Sequence, residues 1–338
     1  MSLYYRPIPR VDPCKTSESF AIAAGGIWFD QVEVLERGRE PYVVPANAIP
    51  EERIHEIKNS RGKLMGISTD KPILMGILNT TPDSFSDGGA FATTDAAIKK
   101  IKNMEAQGAQ IIDVGGESTK PGAVAVSQEL ECKRIRPIFE QIEREKSNVS
   151  FSIDTRKSGV ADIAIRLGAG MVNDVSAMTY DDEMSSVITK HKAHICLMHS
   201  NGDPETMQIA PYYDNVLLDV YDSLSLRIVE AEKMGIPKSR IIIDPGIGFG
   251  KNIEHNLALL KRLSLFHGLG CKVLLGASRK KFIGVIGQEQ IPSKRALGSV
   301  AVGLEALRQG VQVLRVHDIA EHYQAVALWN AMLFPKTA

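Results

Sequence analysis

Asp154 and Asp244 close two runs of aliphatic residues, VSFSIDT and IIIDPG, with no arginine beside either in sequence. An ionised carboxylate in apolar surroundings is costly unless it is paired or accepts several hydrogen bonds. With Asn173, near the end of MVNDVSA, they make a set suited to accepting hydrogen bonds from an amino-substituted heterocycle and returning one. A structural salt bridge is the plainer reading of either aspartate alone. Arg315 and His317 alternate along VLRVHD, so their side chains share a face. Joined by Lys280 of GASRKKFIG, they gather positive charge of the kind that holds a phosphate; for His317 the competing reading is a satisfied core histidine.

Two loops carry further chemistry. ILNTTPDSFSDGGAF, residues 77–91, is dominated by turn formers and reads as a mobile cover over a pocket. Asn79 at its root offers an amide oxygen to a hard cation such as Mg²⁺. DPGIGFGKN, Asp244 to Asn252, fails both nucleotide-loop patterns: Pro245 stands where the phosphate loop needs glycine, and Lys251 where the dinucleotide fingerprint does. It reads as a flexible loop presenting Phe249 as an exposed stacking plate, or else as a purely structural glycine turn. His191, His194 and His199 lack zinc-enzyme spacing. Cys14, Cys132, Cys196 and Cys271 lie far apart and read as reduced thiols.

These residues need elements to position them. From residue 73 onward the apolar runs ILMGILN, IIDVGGE, VSFSIDT, MVNDVSA, HICLMHS, IIIDPG, VLLGAS and VLRVHD alternate with amphipathic stretches. Continuous rather than alternating apolar character marks strands buried on both faces of a parallel sheet. A glycine helix stop followed directly by a strand recurs at Gly108, Gly168 and Gly310. The pattern predicts an α/β fold, a closed (β/α)8 TIM barrel, with an open doubly wound sheet as competitor. The barrel is favoured because the polar residues fall at the C-terminal strand ends: Asn79, Glu117, Asp154, Asn173, His199, Asp244, Lys280, Arg315 and His317 would ring one mouth. Residues 1–70 stand outside the repeat as an N-terminal appendage of short strands and a helix, and residues 71–338 form the catalytic domain.

The 338 residues carry 40 Lys and Arg against 40 Asp and Glu. That balance argues against generic binding to nucleic acid or anionic membrane, which needs surplus cations. No apolar run approaches the length of a membrane span, and the chain reads as a cytoplasmic protein.

NTTPDSFSDGG, DVGGESTKPGA, DPGIGFGKN, GASRKKFIG and RVHD, in that order, resemble the dihydropteroate synthase family from about residue 72 to 331. The resemblance implies condensation of 6-hydroxymethyl-7,8-dihydropterin pyrophosphate with 4-aminobenzoate. It assigns the pterin ring to Asp154, Asn173, Asp244 and Lys280, Mg²⁺ to Asn79, and the pyrophosphate to Arg315 and His317. Thr119, Pro121 and Phe249 would border the aminobenzoate, where sulfonamides would compete. Catalysis would rest on Asn79, Lys280, Arg315 and His317, in a homodimer. Lys120, Lys281 and Thr80 depart from the family's usual arginine, serine and valine. A methyltetrahydrofolate-type pterin methyltransferase and a non-catalytic pterin-binding homologue are the competing readings.

Overall fold

Residues 1–70 build a small body around short strands: β1 (Leu3–Pro7), the ribbon β2 (Phe20–Ala21) and β3 (Trp28–Phe29), then β4 (Gln31–Glu36) and β5 (Tyr42–Pro45). β1, β4 and β5 form an antiparallel sheet in the order β1-β4-β5. Helix α1 (Glu51–Lys58) follows, with Glu51 and Glu52 in the first turn where the helix dipole favours negative charge. It turns Ile54 and Ile57 onto a core that includes Phe29 and Val32. The computed structural model describes residues 2–80, 90–118, 122–145, 147–202 and 207–333.

Every apolar run from residue 73 becomes a strand: β6 (Ile73–Asn79), β7 (Ile111–Gly115), β8 (Ser150–Asp154), β9 (Ala169–Asp174), β10 (His194–Met198), β11 (Ile241–Asp244), β12 (Lys272–Leu275) and β13 (Val313–Val316). All neighbours are parallel, and β13 pairs back onto β6 from Val313↔Ile73 to Val316↔Gly76, which closes the barrel and excludes the open sheet. The outer ring is α2 (Ala90–Ala106), α3 (Gln128–Glu145), α4 (Ser158–Arg166), α5 (Met184–His191), α6 (Val216–Lys233), α7 (Ile253–Lys261), α8 (Lys281–Ile286), α9 (Ala296–Arg308) and α10 (Ile319–Leu333). Gly108, Gly168 and Gly310 have φ of 100°, 107° and 85°. They occupy the left-handed conformation that ends a helix before each strand, as the repeated pattern requires. No described helix is long and apolar enough to cross a membrane.

The two-residue period of the strands sorts the barrel interior by depth. Ile73, Met75, Ile111, Met171, Cys196, Ile242, Leu274 and Val313 point inward and form an apolar floor. One step or more up the same faces stand Asp113, Ser152, Asp154, Asn173, Asp244 and Arg315. The floor is completed by the appendage: Leu64, fully buried in a tight turn bridged to Ile67, joins this cluster with Met65 and Ile67 against it. The appendage is also tied to the helical side of the barrel. Tyr4 donates to Asp222 at 2.8 Å, Arg37 pairs with Asp219 at 2.6 Å, Arg262 pairs with Glu33 at 2.9 Å, and Arg61 donates to the His267 carbonyl at 2.9 Å.

Candidate active site

A buried charge network organises the mouth. Asp113 on β7 accepts from the Arg315 Nε at 2.6 Å and the Asn173 Nδ2 at 2.9 Å through one oxygen, and from the Ser152 hydroxyl through the other. Arg315 continues through Nη2 to Asp154 Oδ2 at 2.7 Å. Asp154 therefore has its counter-charge after all, supplied across the barrel from β13 rather than from its sequence neighbours. Two of Arg315's donor groups face carboxylates, and these neighbours hold the guanidinium firmly protonated. Asp154 Oδ1 is buried with no hydrogen-bond partner. Exclusion of water pushes the Asp154 carboxyl well above its usual range despite Arg315, and burial does the same to Asp244. Asp244 Oδ1 accepts from the Gly246 amide at 2.8 Å. Asn173 gives one amide hydrogen to Asp113 and keeps a second, and no described residue bonds its amide oxygen.

Phe249 departs from the expectation of an exposed plate. It is buried with Val175, Met198 and Met207 as an apolar wall, and the Lys280 ammonium lies 4.0 Å from its ring centroid. A cavity of about 440 Å³ shares Val175, Met198 and Phe249 with this wall. Burial and the Arg315 charge push Lys280 down to about 8. The Asp244 to Asn252 loop is not free either, because its carbonyls are bonded by Lys251, Gln208 and Tyr213.

His317 follows β13, and its Nδ1 lies 3.1 Å from the Ser278 hydroxyl. Burial, reinforced by Arg279, Arg315, Lys100 and Lys280, pushes it down to about 3, so His317 is neutral and adds no charge of its own near neutral pH. Arg279, the neighbour of Lys280, is paired with Asp318 at 3.0 Å through Nε. Asn79 ends β6 at the same mouth, and its side chain makes no hydrogen bond with another described residue. Among the described residues no three His, Cys, Asp or Glu side chains cluster as a metal site. Thr80, the departure from valine, is buried and donates its hydroxyl to the Gly115 carbonyl at 3.0 Å, clipping the root of the first loop to β7. Thr119, Lys120 and Pro121, with most of the first loop, lie outside the described residues. Lys281 opens α8 and is exposed.

Sequence reasoning passed over Asp113, Ser152 and Lys251. Asp113 had a signal: it shares parity with inward-facing Ile111, so a charge in mid-strand had to meet a partner inside the barrel. Glu117, expected at the mouth, instead forms a buried cluster with Arg156 and Lys157 and accepts from the Val126 amide at 2.8 Å, tying the end of β7 to the segment that leads into α3. The three histidines considered for zinc have separate partners: His191 meets Asp162, His194 meets the Met65 amide, and His199 meets Lys251.

Residues 75–317 match the model of the pterin binding enzyme family. The chain is 43% identical to a dihydropteroate synthase of Synechocystis sp. over 261 residues, 76% of this chain and 90% of that protein. It is 42% identical to the Escherichia coli dihydropteroate synthase over 265 residues, 78% of this chain and 93% of that one. Among solved structures it resembles Xanthomonas albilineans dihydropteroate synthase with 4-aminobenzoic acid, with TM-score 0.76, 40% identity and coverage of 80% of this chain and 97% of that one. The Yersinia pestis dihydropteroate synthase with a sulfonamide drug complex matches with TM-score 0.75 and 37% identity, covering 81% and 99%.

Proposed function

The chain belongs to the pterin binding enzyme family, among its dihydropteroate synthases, and from that we propose how its pocket carries out the family's reaction. It is a transferase of folate biosynthesis that condenses 6-hydroxymethyl-7,8-dihydropterin pyrophosphate with 4-aminobenzoate, giving 7,8-dihydropteroate and pyrophosphate. The observation that carries the pterin assignment is Asp154 Oδ1, a buried acceptor without a partner beside Asn173. A ligand offering an amino-pyrimidinone edge satisfies that oxygen, while Asn173 and Asp244 complete the edge and Lys280 bonds the ring.

In the reaction the carbon–oxygen bond to pyrophosphate breaks, giving a methylene cation stabilised by the electron-rich pterin ring, and the arylamine nitrogen then bonds to that carbon. The leaving group keeps the electron pair, and the nitrogen loses a proton. Negative charge grows on the pyrophosphate, so donors fixed in advance at that position lower the barrier. Arg315 and His317 would hold the pyrophosphate there, His317, neutral in the free protein, as a hydrogen-bonding group, with Lys280 adding to the positive field while Arg315 also orders Asp154. Asn79 is the residue that would hold Mg²⁺: its amide oxygen, which no described residue bonds, suits a hard cation. When bound, that ion neutralises the leaving group. Thr119, Pro121 and Phe249 would border 4-aminobenzoate, the position where sulfonamides would compete. Exposed Leu297, Leu328 and Met332 on α9 and α10 support a homodimer joined through barrel helices. A cytoplasmic setting fits the free cysteines.

The test is pyrophosphate release from purified protein with each of the pterin substrate, Mg²⁺ and 4-aminobenzoate omitted in turn. Release that depends on pterin and Mg²⁺, with dihydropteroate formed when 4-aminobenzoate is present, is expected. Pterin binding without release would move the chain to the non-catalytic reading.

A further inference from the structure

The glycine-rich stretch that looks like a nucleotide loop encloses a cation of its own. Lys251 is buried, and its ammonium lies 3.0 Å from the Gly246 carbonyl, 2.9 Å from that of Phe249, 3.3 Å from that of His199 and 2.9 Å from His199 Nδ1. Among the described residues no carboxylate bonds it directly. An ammonium only donates, so His199 Nδ1 accepts and the neutral ring carries its proton on Nε2. The loop glycines make this contact possible. A Cβ on Gly246 would stand 1.9 Å from the His199 carbonyl oxygen, and one on Gly250 would stand 2.7 Å from that of Asn201. Both have positive φ, 67° and 59°. The loop after β11 is thus pressed backbone to backbone against the segment after β10, with the Lys251 head group bonding to both.

The geometry points to Lys251 as a positioning residue for the pterin pocket: by binding the carbonyls of Gly246 and Phe249 it sets the turn that aims Asp244 and holds the Phe249 ring under Lys280. This rests on the reading of the pocket as a pterin site. Two more observations support it. The Gly246 amide that Lys251 helps to place is the donor to Asp244 Oδ1, at 2.8 Å. Burial pushes Lys251 down to about 7 while Asp244 pulls it up, so the two buried groups feel one another's charge.

The experiment compares wild type, Lys251→Met and Asp154→Asn as full-length proteins. Calorimetry with 6-hydroxymethyl-7,8-dihydropterin pyrophosphate gives affinity, steady-state kinetics separate KM from kcat, and hydrogen exchange reports the amides of residues 246–250. Expected for K251M are a loss of pterin affinity of at least tenfold, a matching rise in its KM, and at least tenfold faster exchange in 246–250 with β6 to β9 unchanged. Wild-type affinity together with wild-type exchange would overturn the proposal. A wild type that binds no pterin would instead sink the reading of the pocket, and the exchange data would still decide whether Lys251 holds the loop. If K251M does not fold, Lys251→Gln carries the same comparison, and hydrogen exchange in it is read against the same threshold.

Discussion

Arg315 on the eighth barrel strand donates to Asp154 on the third at 2.7 Å, across the mouth and not along the chain. With Asp113 on its Nε, the guanidinium joins two carboxylates that would otherwise repel each other in a dry interior. In the proposed pterin pocket Arg315 is therefore part of the framework as well as of the positive field.

That dual role is tested by Arg315→Lys. One ammonium cannot reproduce two directed donors, so pterin affinity should fall about a hundredfold, roughly 3 kcal/mol, as expected for breaking a buried pair. Calorimetry should show this loss even with a pterin lacking phosphate. A change under fivefold would mean the fork geometry is unimportant.

His317→Ala should behave differently. It should weaken dihydropterin pyrophosphate while leaving 6-hydroxymethyldihydropterin nearly unaffected, because His317 meets the Ser278 hydroxyl and none of Asp154, Asn173 and Asp244. In free protein the ring, held down to about 3, should remain neutral by NMR to below pH 5, and added pyrophosphate should raise its titration point. Equal loss for both ligands would remove His317 from the leaving-group site.

Asp154→Asn replaces the unpartnered acceptor with a group that can donate. Pterin affinity should drop by at least tenfold, since a hydrogen bond to a charged group contributes about 1.5–3 kcal/mol. Unchanged affinity would show that Asp154 serves only Arg315.

Acid sensitivity should appear at His267, which is fully buried and pushed down to about 3. The unfolded chain titrates near pH 6.5, so between these values the unfolded state binds more protons. The stability His267 contributes is complete above that pH and is lost as pH falls toward 3. Buried Asp154, Asp174 and Asp244 shift in the opposite sense, so the measurement is a difference: the stability gap between wild type and His267→Gln should narrow by about 2 kcal/mol from pH 7 to pH 5. A gap independent of pH would contradict it.

Leu64→Ala should open a hole in the barrel floor and destabilise the protein by about 2–5 kcal/mol in urea unfolding, with pterin affinity retained. A smaller effect would mean that Met65 and Ile67 close the floor by themselves.

The barrel was legible because uninterrupted Ile, Val and Leu runs and the stops at Gly108, Gly168 and Gly310 are local signals. Asp154, Asn173 and Asp244 were legible for a related reason: polar groups at the ends of apolar strands are costly without a purpose. What local sequence does not carry is who meets whom across the barrel. Arg315 reads as a phosphate ligand until its partners Asp113 and Asp154 are seen, and Lys251 reads as a loop residue until His199 arrives from a different strand. Phe249 looked exposed because glycines surround it, yet those glycines allow the close approach that buries it. The appendage's part in the floor was equally hidden, since one leucine in GKLMGIS has no periodicity to betray it.

Leu64 and the apolar layer it completes close the barrel at the end opposite the polar mouth. The proposed pterin site stands on the polar layer just above that floor, so whichever reactant belongs deepest would have to arrive first, and anything lodged above it would become a stopper. An inhibitor in the aminobenzoate position would accordingly trap the pterin beneath it.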